Sequence, residues 1–226
     1  MSGNLWLRAL DMLPDLLTVL LVGAITTIEV TIGGFLIAAV IGLGLAMLQT
    51  LPARMPRILV GFYVEVFRGV PVLTQLFVLY FGLAQLGLKL DPLTAAIVGF
   101  GLNGGAYLTE VFRAGLLSVH RGQMEAAFMI GMTRMAALRY VVLPQAMRVV
   151  LPPLANFAVG LLKDTALASA VAAPELSFHA RTLVNRTYLS TQIYLLVAVI
   201  YLAMSLPLSH LSQRLERRFG RGVLTQ

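Results

Sequence analysis

Between Leu16 and Leu48 the chain carries a single ionisable side chain, Glu29. A helix needs about 20 apolar residues to cross a bilayer, so this run can cross with a tilt or with an interfacial extension. The rest of the chain offers little polar surface to hide it: of 226 residues 58% are hydrophobic and only 12% charged, and the mean hydropathy is +0.86. Such a balance makes the bilayer the main solvent. Further apolar runs at Ile58–Leu83, Leu93–Leu117, Ala146–Ala172 and Ile193–Leu211 predict an all-α integral membrane protein of about five spans. Pro52 and Pro56 separate the first two, and Asp91-Pro92 the next two. Met1–Leu17 lacks the basic start and small-residue cleavage site of a removable signal, so the first span is expected to serve as its own address.

The net charge of +7 and the isoelectric point near 10.2 do not point to nucleic acid, because aromatic residues are not interleaved with the basic ones. With no cysteine, disulfides, thiolate metal sites and cysteine nucleophiles are all excluded. His120, His179 and His210 are too scattered in sequence to suggest a metal cluster. The basic residues instead report orientation. Arg54, Arg57, Arg121, Arg134, Arg139, Arg148, Arg214, Arg217, Arg218 and Arg221 fall on one side of the predicted spans, while only Arg8, Lys89, Arg181 and Arg186 fall on the other. The positive-inside rule then predicts an outside N-terminus and a cytosolic C-terminus.

That topology puts the most polar internal loop, residues 119–144, in the cytosol. Within it Gln123–Ile130 reads as a short helix stopped by Gly131, the residue that adopts a left-handed C′ conformation without a Cβ penalty. Thr133 is placed to cap a second short helix running toward Tyr140. Met124 and Phe128 share a face at i, i+4, and Met132 and Met135 extend its apolar character, so the loop has an adhesive side that needs a partner.

Polar residues inside the spans are few. Glu65 with Arg68, and Glu110 with Arg113, recur at i, i+3 within an echoed Tyr…Glu-Val-Phe-Arg pattern and read as structural intramembrane pairs, since pairing lowers the insertion cost of a charge. Asn103 and Tyr107, at i, i+4, and Asn156 read either as a solute route or as interhelical glue; Gly99, Gly101, Gly104 and Gly105 make close helix packing the rival explanation. Lys163 and Asp164 point about 100° apart on a helix and cannot simply neutralise each other. Either Lys163 snorkels beside a solvated Asp164, or the two line a translocation gate.

Glu125-Ala126-Ala127 with the upstream Gly122-Gln123, Gly131 at its fixed offset and the later Leu143-Pro144-Gln145-Ala146-Met147-Arg148 resemble the coupling loop of membrane subunits of binding-protein-dependent ABC importers. Gly23-Ala24-Ile25-Thr26-Thr27-Ile28-Glu29-Val30-Thr31, the run Phe67–Leu76, Ala106-Tyr107 with Glu110 and Phe112-Arg113, and Leu162–Leu167 are similar to the polar amino acid branch of that family, over roughly residues 18–215. One departure is Ala166, where the branch usually has Ser.

The resemblance implies a type I importer transmembrane domain over 16–215, with the coupling loop at 119–144, an extracytoplasmic segment at 1–15 and a cytosolic tail at 216–226. It implies that Gly122, Gln123, Glu125, Ala126, Ala127, Phe128, Gly131, Met132, Arg134 and Pro144 meet a cytosolic ATPase, and it supports a gate role at Lys163, Asp164 and Thr165, which with the mid-depth Asn103, Tyr107 and Asn156 make the candidate substrate path. The implied partners are a second membrane subunit, either a copy or a paralogue, an ABC ATPase dimer holding ATP and Mg, an extracytoplasmic solute-binding protein, the amino acid and membrane lipid. No cofactor is expected on this chain, which contains no Gly-x-x-x-x-Gly-Lys-Ser/Thr phosphate loop, and it is expected to be non-catalytic. The alternatives are an ion-coupled secondary transporter, for which about five spans is few, and a membrane enzyme, which would want a convergent catalytic constellation that the sequence does not offer.

Overall fold

The computed structural model describes residues 3–219, with side chains from Leu5 onward; Arg221 and the rest of the expected tail beyond Phe219 lie outside the described residues. The described residues form helices α1 (Gly3–Asp11), α2 (Leu13–Gln49), α3 (Arg54–Gly69), α4 (Val72–Phe77), α5 (Leu83–Gln85), α6 (Pro92–Leu117), α7 (Arg121–Met129), α8 (Arg134–Ala137), α9 (Leu143–Asp164), α10 (Leu176–Thr187) and α11 (Ser190–Phe219). No strand occurs among the described residues.

Three helical stretches are long and apolar enough to cross a membrane: Leu13–Gln49, Arg134–Val171 and Ser190–Phe219. The expected second span is not straight. It breaks after Gly69, and Arg54–Gly69 meets Val72–Gln85 at a bend of 102°. The cause lies in the local sequence, because Pro71 offers no N–H to continue α3 and forces the residue before it out of the helical region. Val70 is accordingly extended, at φ −99 and ψ 132. The fourth expected span also begins earlier than predicted. Arg134–Val171 is continuous, and a π turn at Leu138–Val142 joins α8 to α9 immediately before Pro144. A π turn closes i→i+5 bonds, and here it delivers the chain to a proline that cannot donate. Beyond Asp164 the helix tightens into a 3₁₀ segment, Thr165–Val171.

α6, at 26 residues, is long enough to span, though it is not among those three stretches, and it carries Glu110 and Arg113 toward its C-terminal end. It lies at the centre of the bundle, packed along α2 and also against α9, α3 and α4. The α2–α6 seam shows why the glycines are there. A Cβ on Gly101 would lie 2.5 Å from Ile37, one on Gly105 2.7 Å from Ile41, and one on Gly42 2.7 Å from Leu108. Pairs 37/101 and 41/105 advance by four on both helices, so the two run parallel with the i±4 ridge of one in the groove of the other. Close packing, one of the readings left open for this stretch, accounts for Gly101 and Gly105. On its other side α2 turns Leu21, Ile25, Ile28, Ile32, Leu36 and Val40 outward, a stripe of apolar side chains matched to lipid.

α10 is the element the sequence reading did not anticipate. It covers one end of the bundle, where Leu176, Ala180 and Leu183 join Leu16, Leu20, Leu189, Ile193 and Val197 in a core cluster. Its N-cap is Glu175, fully buried, which accepts from Ser177 N at 2.8 Å, Phe178 N at 2.7 Å and the Tyr201 hydroxyl at 3.0 Å. Leu176 N donates to the buried Thr27 hydroxyl at 3.2 Å, which ties the cap to α2. At the same end Asp91 caps α6 by accepting from Thr94 N, and hydrogen bonding to Thr94 holds its carboxyl below the usual range.

Candidate functional site: the loop end of the bundle

The end of the bundle opposite α10 is built around α7. His120 caps it, its Nδ1 accepting from Gly122 N at 3.1 Å, so the helix starts two residues before the predicted Gln123. Its exit is as predicted from Gly131: Gly131 N donates to Phe128 O at 2.9 Å and Met132 N to Ala127 O at 3.0 Å, the paired 5→2 and 6→1 bonds of a Schellman motif, with Gly131 at φ +81. Thr133 caps α8 by accepting from Ala136 N at 3.2 Å.

Only Ala127 of α7 is buried. Glu125, Ala126 and Phe128 are exposed, and so are the apolar Met129 and Ile130, at 87% and 75%. Those last two were missed by the sequence reading because they fall off the Met124/Phe128 stripe. The Schellman exit is what turns the last turn of α7 outward, and Gly131 was the available signal. Gly122 and Met132 are half-buried, and Gln123 holds the loop to the start of α9 through Gln145 Nε2 at 3.2 Å. Pro144 is exposed within the continuous helix.

Behind α7 lies a cavity of about 1100 Å³ lined by Gln49, Thr50, Arg57, Glu110, Arg113, His120, Arg121, Met124, Glu125, Phe128 and Arg134, among others. Two arginines of this wall serve the C-terminus of α2. Arg134 Nη2 donates to Thr50 O at 2.9 Å, and Arg57 donates to Leu51 O through Nη2 at 3.0 Å and Nε at 3.3 Å. Cations at the carbonyl end of a long helix meet its negative pole. Arg134, expected to face a partner, is exposed and at the same time ties the loop to α2.

The two charge pairs separate. Arg113 and Glu110 form an ion pair at 2.6 Å, the only one among the described residues. It lines the cavity and is partly exposed, so it stands at the mouth of the bundle and not deep inside it. Glu65 and Arg68 do not pair; both are exposed, and Arg68 lies over the Tyr107 ring at 5.2 Å. The same i, i+3 spacing thus yields two outcomes, because Arg68 sits in the last turn before the break, within reach of an aromatic face on α6.

The mid-depth polar set is partly tied. Asn103 Nδ2 donates to Phe67 O at 2.9 Å, an interhelical bond of the glue type. Tyr107 is 43% exposed, and Asn156, Lys163 and Asp164 are all exposed. Thr165 is fully buried and gives its hydroxyl to Leu162 O at 2.7 Å, which takes it off any open face.

Residues 51–221 match the family described as binding-protein-dependent transport system inner membrane component. The chain is 39% identical over 202 residues to the L-cystine transport system permease protein TcyB of Bacillus subtilis (strain 168), covering 89% of this chain and 86% of that one. It is 36% identical over 201 residues to the glutamine transport system permease protein GlnP of Escherichia coli (strain K12), covering 88% and 92%. Among solved structures, an amino acid ABC transporter crystallised with histidines matches at a TM-score of 0.84 and 34% identity, over 92% of this chain and 97% of that one. The methionine transporter MetNI, at 20% identity and a TM-score of 0.71, shares the fold. The chain belongs to the family of binding-protein-dependent transport system inner membrane components, and is a multi-pass ABC importer permease subunit of the inner membrane.

Proposed function

We propose that this chain is the permease subunit of an ATP-driven importer for a polar or charged amino acid, and that α7 docks on a separate ATPase which binds ATP and Mg and performs the hydrolysis. The observation that carries the reading is α7 itself: a nine-residue helix with one buried side chain, ended by a Schellman turn that presents Phe128, Met129 and Ile130 outward beside Glu125. A helix this short is unstable alone in water, where about 12 to 15 residues are needed, and an apolar tip of this kind calls for a protein partner. Glu125 there meets a basic group of the ATPase, while the Gly131 turn sets the docking angle. The names of the relatives, glutamine and L-cystine permeases, support an amino acid as cargo.

In this reading the N-terminus is outside and the C-terminus cytosolic, a loaded solute-binding protein docks at the α10 end, and the route runs between this subunit and a second membrane subunit, past Asn103, Tyr107, Asn156, Lys163 and Asp164. The test is ATP hydrolysis by the reconstituted complex with and without loaded binding protein. Glu125→Lys and Gly131→Val are expected to insert and pair but to lose stimulation, the first by repelling a basic partner and the second by straining a left-handed position. Full stimulation and normal uptake in both variants would refute α7 as the coupling element. Cross-linking that finds only monomers in transport-competent material would refute the paired pore.

A further inference from the structure

The break between α3 and α4 holds two groups that the chain leaves incomplete. Arg68 is a guanidinium without an anion: the only ion pair among the described residues is Arg113–Glu110, and the nearby Glu65 does not engage it. Its anchor, Tyr107, lies ten residues before the end of α6 at Leu117, about 15 Å along the axis at 1.5 Å per residue, which is half of a hydrocarbon core of about 30 Å. An arginine at that depth is costly unless it serves a solute or a partner.

The second group is Gln75, 8% exposed. Its Nε2 donates to Phe67 O and Val70 O, both at 2.8 Å, and so bridges the broken ends of the helix. Those two carbonyls fix the orientation of the amide, since a flipped amide would set oxygen against oxygen. Its Oε1 is then buried with no donor among the described residues. A buried acceptor left unserved costs free energy unless water or another group meets it. The backbone next to Arg68 is open: a Cβ on Gly69 would meet nothing within 4 Å.

We propose that Arg68 is the anchor for the carboxylate of the transported solute. Arg68 Cζ stands 5.2 Å from the Tyr107 ring centroid and the guanidinium has no carboxylate partner among the described residues, so its N–H groups are available for a two-pronged grip on a carboxylate. Because every α-amino acid carries that carboxylate, the residue sets the class of solute and not the choice among side chains. The inference rests on the amino acid reading above and adds to it a residue outside the mid-depth set.

The absence of cysteine from this chain allows a charge-restoration test. The full complex with its ATPase and binding protein is reconstituted in vesicles carrying wild type, Arg68→Gln or Arg68→Cys, and uptake is followed with radiolabelled amino acids including L-glutamine and L-cystine. Loss of one charge-assisted contact is expected to lower uptake by about tenfold or more in both variants, for every amino acid that wild type carries, while binding protein still stimulates ATP hydrolysis. Treating Arg68→Cys with a methanethiosulfonate that bears an ammonium group is expected to recover uptake. A neutral or anionic reagent is expected not to, and wild-type vesicles treated alike serve as the control. Normal uptake by Arg68→Gln overturns the proposal, as does equal recovery with the neutral reagent. Dissociation of the membrane pair in Arg68→Gln also overturns it, and would assign the guanidinium to a carboxylate of the second subunit. Failure of the amino acid reading looks different: wild type itself would then show no ATP-dependent amino acid uptake.

Discussion

The two ends of the bundle treat polar groups in opposite ways. At the α10 end the Glu175 carboxylate is buried and met by two backbone amides and a tyrosine hydroxyl, with Ser177 Oγ at 3.1 Å from the same hydroxyl. At the α7 end Glu125, Arg121 and Glu110 border an open cavity, and apolar side chains stand in the open beside them. One end is a closed node whose bonds are completed inside the chain; the other is a surface whose bonds await a second molecule. The contrast teaches that burial alone does not mark function here: the most buried acid holds the fold together, and the exposed loop does the coupling we propose.

Substitutions can break or sharpen this contrast. The largest effect is expected between the two ends, on the seam that joins them. Gly42→Val would press a Cβ to 2.9 Å from the Leu108 carbonyl carbon and 3.0 Å from Thr109 N, backbone that cannot move aside as a side chain can. Overpacking costs about 1–3 kcal/mol and occasionally more, and this variant is expected at or above the top of that range, read as loss of folded protein by size-exclusion in detergent. Glu175→Ala comes next. It strands two amides at the α10 N-cap and leaves the Tyr201 hydroxyl with Ser177 Oγ as its partner, and a loss of about 1–3 kcal/mol is expected, seen as a lower melting temperature, with Glu175→Gln milder because it keeps an acceptor. At the loop end Arg134→Ala removes one bond to Thr50 O and is expected to cost about 0.5–1.5 kcal/mol. Met129→Ser should leave the melting temperature unchanged while weakening retention of the ATPase on the immobilised permease. If Met129→Ser destabilised the chain as much as Glu175→Ala did, the loop end would be a second closed node and the contrast would fail.

The same asymmetry governed what could be read in advance. The loop end was written in punctuation that physics makes unambiguous: Gly131 for a left-handed exit, Thr133 for a cap. At the α10 end Asp91-Pro92 marks the start of α6, but α10 itself has no glycine at its boundaries. The left-handed residues that bound it are Ala172 and Tyr188, both at φ 61, where glycine would have announced a boundary. Its key acid finds its hydroxyl partner on α11, 26 positions on, a pairing that no local periodicity carries. The broken second span was spelled out by Gly69-Val70-Pro71, yet continuous apolarity on both sides masked it. The Glu65–Arg68 spacing promised a pair because i, i+3 geometry knows nothing of a ring on another helix, and Tyr107 won the guanidinium.

The seam between α2 and α6 has a mechanical corollary. Its contacts interlock like the teeth of two racks, with Ile37 and Ile41 meshed at Gly101 and Gly105 and Leu108 at Gly42. To slide, the racks would have to disengage and re-mesh a full tooth away, four residues or about 6 Å along the axis, through positions where only glycine leaves clearance. The pair is therefore expected to move as one rod, and under the docking proposed above a push on the loop would enter α2 at Thr50 through Arg134, on the same helix whose Thr27 hydroxyl accepts from Leu176 N at the α10 cap.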